Sequence, residues 1–177
     1  MDADVLKAIV RKGRRSPLWS ADSGVDVSLD RCAIERLIPH RDPFLMVDRV
    51  TRVDLERQVL AGARRIVPDD PVFAGHFPGD PVYPGVLQLE TMGQYILCLL
   101  ALLRLGASEP PAAAAPPAIR AIKIHHAVFL REVRPGSALV VLANVLEWNG
   151  YTAITAGQIV ENDDVCSLGV MEVFFVE

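Results

Sequence analysis

The chain has 177 residues, 51% hydrophobic and 23% charged, and a net charge of -4 at pH 7. These values are typical of one soluble globular domain, and the negative charge argues against a general nucleic-acid-binding protein. Three distant cysteines (Cys32, Cys98 and Cys166) match no metal-ligand spacing. With no secretory signal at the amino terminus, we expect free thiols, a cytoplasmic protein and no metal.

The amino-terminal part predicts an extension over residues 1–27, ahead of a single domain over residues 28–177. Residues 2–12 are compatible with a short helix, and the following segment contains breakers and no period. We expect this arm to be disordered or loosely docked, with Trp19 as its candidate anchor. A short helix capped by Ser28 should then open the domain.

The middle of the chain predicts two strands, over residues 44–52 and 58–67, followed by one long helix. Residues 86–105 are strongly apolar and end before Gly106, a usual residue past a helix end. The run is interrupted by polar residues near its start, so we interpret it as a core helix without a membrane span. The Ala/Pro-rich residues 107–118 predict an exposed loop.

The last sixty residues predict four antiparallel strands. They cover residues 119–130, 138–148, 151–162 and 165–175. Asn149-Gly150 favours a tight hairpin turn. The order indicates an α+β domain in which a sheet wraps one central helix. Because the edges of such a sheet are open, a dimer is expected.

His76 is the first candidate for chemistry. It lies in Gly75-His76-Phe77-Pro78-Gly79, where the flanking residues stiffen the loop. A histidine held in this way can act as a base. Histidines in loops are more often structural, and we expect the other three, His40, His125 and His126, to be structural or at the surface.

Glu90 is the second candidate, because a carboxylate within so apolar a helix requires a partner or a raised pKa. Gln94 lies four residues further, on the same helix face. A structural glutamate near the helix start would instead have a lowered pKa, and both interpretations stay open. Gly85 would offer a free N–H to a developing oxyanion. Base, acid and donor together suit proton abstraction beside a carbonyl, followed by loss of a β-hydroxyl.

Three segments resemble the bacterial 3-hydroxyacyl-ACP dehydratases of the FabZ type. Residues 37–49, LIPHRDPFLMVDR, resemble the family's LPHRyPFLLVDR segment. Residues 75–94 resemble its GHFPGxPxxPGVLxxEAxAQ signature, with the same spacing of fourteen from His76 to Glu90. Residues 128–136 are similar to its KFrrpVxPGD element. By this resemblance the chain is identified as a member of the FabA/FabZ hotdog family.

The resemblance implies a hotdog fold, a long central helix wrapped by a curved antiparallel sheet, and a dehydratase that uses no cofactor. His76 would remove the C2 proton of a 3-hydroxyacyl thioester, and Glu90 of the other subunit would protonate the leaving hydroxyl. The Gly85 N–H would hold the thioester carbonyl, the Val82 carbonyl would orient His76, and Gln94 would support the water site. The product would be a trans-2-enoyl thioester.

The implied partner is an acyl carrier protein bearing a 3-hydroxyacyl phosphopantetheine thioester, with neither nucleic acid nor membrane. The implied assembly is a homodimer, a hexamer built as a trimer of dimers, or a heterodimer. The residues expected along an acyl tunnel are Phe77, Tyr83 and Tyr95. The residues expected to attract the carrier are Lys123, Arg131 and Arg134.

Several positions depart from the family pattern: Asp42, Thr91, Gly93, Tyr95 and Val128. They leave open whether the pathway is fatty-acid synthesis or a dedicated polyketide or polyene pathway. Two other functions are compatible with a hotdog fold, an acyl thioesterase and a non-catalytic subunit of a dehydratase complex. The pairing of His76 with Glu90 argues against both.

Overall fold

A computed structural model describes residues 1–20 and 24–176. Its helices are α1 (Ala3–Gly13), α2 (Arg31–Leu37) and α3 (Gly85–Leu105), and a short 3-10 helix covers Pro71–Ala74. Its strands are β1 (Val25–Leu29), β2 (Arg49–Asp54), β3 (Val59–Arg65), β4 (Ile119–Phe129), β5 (Ala138–Trp148), β6 (Thr152–Glu161) and β7 (Asp164–Phe175). The predicted amino-terminal arm runs through residues 21–23, which lie outside the described residues, as does residue 177.

The seven strands form one antiparallel sheet in the order β1-β2-β3-β5-β6-β7-β4. Helix α3 packs against β5, β6, β3, β7 and β4, so the curved sheet wraps around it. The predicted α+β architecture with one central helix is therefore confirmed. Strand β4 ends the sheet order, so one of its edges is unpaired by the described strands.

Helix α3 begins after a proline and ends before a glycine, as predicted from the sequence. Pro84 is its N-cap, and Gly106 closes it in the left-handed conformation with φ 62°, which glycine adopts without steric cost. By length and composition the helix could cross a membrane, but 61% of its most apolar window is buried inside the domain. The apolar residues on most sides of α3 are therefore explained by its buried position in the core.

The first strand and the cap of α2 differ from the sequence predictions. Ser28 lies in β1, which pairs with β2, and it does not cap the helix. Asp30 is the cap, and its Oδ1 accepts a hydrogen bond from the Ala33 N–H over 3.0 Å. The carboxylate of Asp30 can reach a free N–H of the first turn, whereas Ser28 lies within β1, three residues before the helix begins. The sheet therefore starts before residue 28.

The predicted strand over residues 44–52 is wrong in its first half. Residues 44–48 form an irregular segment, and β2 begins only at Arg49. The four carboxy-terminal strands are confirmed to within two residues at each end. In the hairpin of β5 and β6, Gly150 adopts φ 93°, and Asn149 Oδ1 accepts from the Thr152 N–H over 2.8 Å.

The predicted amino-terminal helix is confirmed as α1, and residues 13–19 after it are docked on the sheet, where a disordered or loosely docked segment was expected. Gln158 of β6 is only 1% exposed. Its Nε2 donates to the Gly13 carbonyl over 2.7 Å, and its Oε1 accepts from the Leu18 N–H over 2.7 Å. Trp19 packs beside Val160, which confirms it as an anchor. A buried amide on the sheet thus fixes the extension.

Candidate active site

The His76 loop is closed by two hydrogen bonds between the same pair of residues. The Val82 N–H donates to the His76 carbonyl over 3.0 Å, and His76 Nδ1 lies 2.8 Å from the Val82 carbonyl oxygen. Because a carbonyl oxygen only accepts, Nδ1 carries the hydrogen. Nε2 therefore keeps its lone pair, as a base requires.

Two further contacts fix the orientation of the His76 ring. The ring of Phe77 stacks on it with centroids 4.0 Å apart. Gly79 turns the loop at φ 83°, a conformation that a residue with a Cβ rarely adopts. The His76 ring is therefore held by the loop on two sides, and the orienting role of the Val82 carbonyl stays a prediction.

His76 opens into a cleft of about 520 Å³, which we call the His76 cleft. Its lining includes His76, Val82, Tyr83, Gly85, Val86 and residues 129–132. Gly85 is the first residue of α3, so its N–H points out of the helix start, where the helix dipole is positive. A Cβ at Gly85 would lie 2.8 Å from Cζ of Phe129. Glycine therefore permits the ring to approach the helix start.

Glu90 lies one and a half turns further along α3, half-buried with its side chain 33% exposed. Its Oε1 accepts a hydrogen bond from Gln94 Nε2 over 2.8 Å. His40 Nε2 lies 3.6 Å from the same oxygen. Both contacts engage Oε1, so Oε2 is the oxygen left to a substrate among the described residues.

Gln94 is fully buried, and each end of its amide is bonded to protein. Oε1 accepts from the Met46 N–H over 2.7 Å, and Nε2 donates to the Phe44 carbonyl over 2.8 Å as well as to Glu90. The amide thus ties α3 to the irregular segment before β2. Gln94 also contacts the candidate acid Glu90, and its predicted support of a water site stays a prediction.

His40 was expected to be structural or at the surface, and it instead stands beside Glu90. Burial lowers the pKa of His40, and the Glu90 carboxylate opposes that shift. Its Nδ1 is buried and has no hydrogen-bond partner among the described residues. The sequence signal that could have placed His40 at the site is the family-like motif that contains it, His40-Arg41-Asp42-Pro43.

Glu90 opens into a second cleft, of about 540 Å³, which we call the Glu90 cleft. Its lining includes Pro39, His40, Val86, Glu90, Gly93, Leu97, Ile124 and Met171. The two clefts share Val86. Within one chain the candidate base and the candidate acid therefore face different clefts.

The expected tunnel residues occupy three different environments. Tyr83 is buried and lines the His76 cleft, while Phe77 is 55% exposed. Tyr95 is buried in the core, donates from its hydroxyl to the Ala63 carbonyl over 2.6 Å, and lines neither cleft as the described residues form it. Burial raises the pKa of the Tyr95 hydroxyl. Its role in an acyl tunnel stays a prediction.

The expected carrier-docking charges are partly neutralised by neighbours. Arg131 lines the His76 cleft and pairs with Asp164 at 3.0 Å. Arg134 pairs with Asp80 at 2.7 Å and also with Glu132. Lys123 is exposed on the edge strand β4. Exposed pairs of this kind contribute little stability and can exchange partners.

The cysteines are free thiols, as expected. Burial raises the pKa of the Cys98 thiol, and that of Cys166 as well, which disfavours the reactive thiolate. Among the described residues no cluster of three His, Cys, Asp or Glu side chains could hold a metal ion.

Comparison with known proteins places the chain among sequences of one family. The model of the FabA-like domain matches residues 38–168. The chain is 34% identical over 151 residues to a 3-hydroxyacyl-[acyl-carrier-protein] dehydratase FabZ of Sulfurimonas denitrificans, with 84% of this chain and 98% of that protein aligned. It is 39% identical over 146 residues to the same-named protein of Tolumonas auensis, with 81% and 93% aligned.

Solved structures with the same fold are more distant in sequence. The dehydratase heterocomplex ApeI:P of Xenorhabdus doucetiae contains a chain with TM-score 0.64 and 17% identity, covering 82% of this chain and 91% of that one. A putative thioesterase of Ralstonia eutropha gives TM-score 0.52 and 13% identity, covering 71% and 82%. At these identities the likeness concerns the fold alone.

Proposed function

The chain belongs to the FabA-like domain family, and we propose that His76 and Glu90 are the base and the acid with which it dehydrates its substrate. The enzyme is a 3-hydroxyacyl-[acyl-carrier-protein] dehydratase, the activity named for its relatives at 34% and 39% identity. The activity and the family predicted from the sequence motifs are confirmed. The substrate is accordingly an acyl group carried on an acyl carrier protein.

His76 Nε2 takes the C2 proton of the 3-hydroxyacyl thioester. The electron pair of that C–H bond forms the C2=C3 double bond as the C3–O bond breaks. The Val82 carbonyl, 2.8 Å from Nδ1, stabilises the imidazolium that results, since it accepts a hydrogen bond from the charged ring. Because the hydrogen of neutral His76 is held on Nδ1, Nε2 is ready to accept a proton before the substrate binds.

Glu90 donates a proton to the departing C3 hydroxyl, which leaves as water. Gln94 holds Oε1, so we assign the donated proton to Oε2. The Gly85 N–H at the start of α3 binds the thioester carbonyl oxygen, on which negative charge develops as C2 loses its proton. After product release, one proton passes from His76 back to Glu90 through solvent.

A complete site requires a second copy of the chain, because the base and the acid of one chain face different clefts. Val86, Glu90, Gly93 and Leu97 form a stripe along α3 that is at least partly exposed. The unpaired edge of β4 lies beside it and leaves Ile122 55% and Ile124 57% exposed. We infer that two chains pair through β4 and the α3 stripe, which brings His76 of one protomer to Glu90 of its partner.

The observation that carries the proposal is the His76–Val82 pair of hydrogen bonds at a cleft that also contains the first N–H of α3. Incubation of the enzyme with a 3-hydroxyacyl carrier-protein thioester tests it. Loss of one water from the bound acyl group, seen by mass spectrometry, is the expected result. Release of a free acid would indicate a thioesterase, and an unchanged substrate would indicate a non-catalytic subunit. We place the reaction in cytoplasmic fatty-acid or polyketide assembly.

A further inference from the structure

The amino-terminal extension carries an unusual concentration of positive charge. Residues 7–15, KAIVRKGRR, contain five of the 18 Lys and Arg residues and no acidic residue. The net charge of the whole chain is -4, so the rest of it carries -4 minus 5, or -9. The extension also lies outside the residues 38–168 that match the family model. Its charge is therefore a property of this chain that the shared domain does not require.

Residues 1–18 of the extension are held against the body of the domain. Gln158 binds the segment after α1, as described above, and Leu6 packs against a buried cluster that includes Ile154 and Val170. The amino-terminal ammonium of Met1 pairs with Glu147 at 2.9 Å. These contacts set which face of helix α1 points to solvent.

Lys7 and Arg11 lie four residues apart on one face of α1, and Arg14, the C-cap of the helix, and Arg15 follow at its end. Arg11, Arg14 and Arg15 are exposed, and none forms an ion pair with a described residue. Lys7 pairs only with Asp4, its neighbour on the helix. These cations keep their charge available to a partner.

The same four cations border a cleft of about 630 Å³. Its other wall includes His126 of β4 and Leu130, which directly follows β4. We call it the basic cleft. His126 Nε2 is buried and lacks a hydrogen-bond partner among the described residues. Leu130 lines both the basic cleft and the His76 cleft. A partner seated in the basic cleft therefore lies beside the mouth of the candidate active site.

We propose that the basic cleft is the docking surface for an acidic face of the carrier protein that delivers the thioester; this rests on the proposed function. The positive patch is small, and the remainder of the chain is strongly negative. A long polyanion such as nucleic acid would extend beyond the patch and meet repulsion, whereas a small acidic domain would not. The shared Leu130 places the attached acyl arm of such a domain next to His76.

The test compares a carrier-bound substrate with a carrier-free thioester of the same acyl group, such as its N-acetylcysteamine thioester. In the variant R11E/R15E, kcat/KM for the carrier-bound substrate should fall about 10-fold or more, because steering and docking charges are reversed. The value for the carrier-free substrate should not change. The wild-type enzyme should also lose kcat/KM for the carrier-bound substrate as salt rises, more steeply than R11E/R15E.

The matched control is R57E/R104E, which makes the same charge change at exposed residues that border neither the basic cleft nor the His76 cleft. It should leave both substrates unaffected. If R11E/R15E folds poorly by circular dichroism, R11Q/R15Q replaces it, with the same selectivity and a smaller loss expected.

The outcomes separate the two proposals. A wild-type enzyme that turns over neither substrate contradicts the proposed function itself. A wild-type enzyme active on both substrates, with R11E/R15E unchanged on both or impaired equally on both, overturns the docking surface alone. Unchanged carrier kinetics together with loss of binding to duplex DNA or to vesicles of anionic phospholipid would assign the basic cleft to another partner and likewise overturn the proposal.

Discussion

Gln94 donates a hydrogen bond to Oε1 of Glu90 over 2.8 Å, one helical turn away, from an amide that is itself fully buried. The same amide holds Phe44 and Met46 of the segment before β2. The position of the candidate acid is therefore coupled to a loop that is distant in sequence. We therefore propose that Gln94 acts on the reaction only by positioning Glu90.

Replacing Gln94 with Ala should lower kcat about 10-fold while KM stays nearly constant, because Glu90 loses its fixed orientation. It should also cost about 1–3 kcal/mol of stability for each buried backbone group left without a partner. The double variant E90Q/Q94A should be no slower than E90Q alone, because Gln94 has no acid left to orient. Additive losses in steady-state kinetics would contradict the positioning role.

His76→Ala and Glu90→Gln should each reduce turnover by roughly 100-fold or more, the scale of losing a general base or acid. Each variant should retain the circular dichroism spectrum and the solution mass of the wild-type protein. Single-turnover kinetics on a carrier-bound 3-hydroxyacyl group measures the effect. Near-wild-type turnover by either folded variant would show that its assigned role is wrong.

Gly85→Ala should lower kcat/KM, because the added methyl would meet the Phe129 ring, with Cζ 2.8 Å away, and narrow the His76 cleft. Gly75→Ala is the matched control. A Cβ there meets no atom within 4 Å, and its φ of -114° suits any residue. Equal kinetics for the two variants would show that the close approach of Phe129 to the helix start has no catalytic consequence.

The stability of the protein should fall as His40 becomes protonated. Burial lowers the pKa of His40 below its ordinary value of 6.5, so the folded state resists protonation more than the unfolded state does. The contribution of neutral His40 to the free energy of unfolding is complete above pH 6.5. It is lost as the pH drops toward the lower pKa of the folded state. Urea unfolding of wild type and His40→Gln from about pH 7 to about pH 5 measures it. The wild-type stability should fall more steeply than that of His40→Gln, and parallel curves for the two proteins would contradict this contribution of His40.

The sequence supplied the fold through strong local signals. Pro84 and Gly106 bound the long helix, and Asn149-Gly150 marks a hairpin, so the helix and the strands after it were predictable. The irregular segment at residues 44–48 was not, because Gln94, about fifty residues later, holds its backbone in place of a strand partner. Tertiary hydrogen bonds of this kind override local strand propensity.

The part of the candidate site that lies within one sequence motif was predictable. The part that depends on contacts between distant segments was missed. His76, Val82 and Gly85 lie within ten residues and line one cleft, so their proximity follows from the motif. His40 reaches Glu90 across fifty residues of sequence. The anchoring of residues 13–18 depends on Gln158, a buried polar residue in the middle of β6, and no local pattern connects it to that segment.

The most direct test of the account mixes His76→Ala and Glu90→Gln protomers and isolates the mixed dimers by two different affinity tags. In a two-fold dimer with sites shared between chains, one site of each mixed dimer contains both lesions and the other contains neither. We predict about half of the wild-type activity per mixed dimer, against near-zero activity of each parent variant. If each chain contained its own complete site, both sites would carry one lesion, and purified mixed dimers as inactive as the parents would contradict the account.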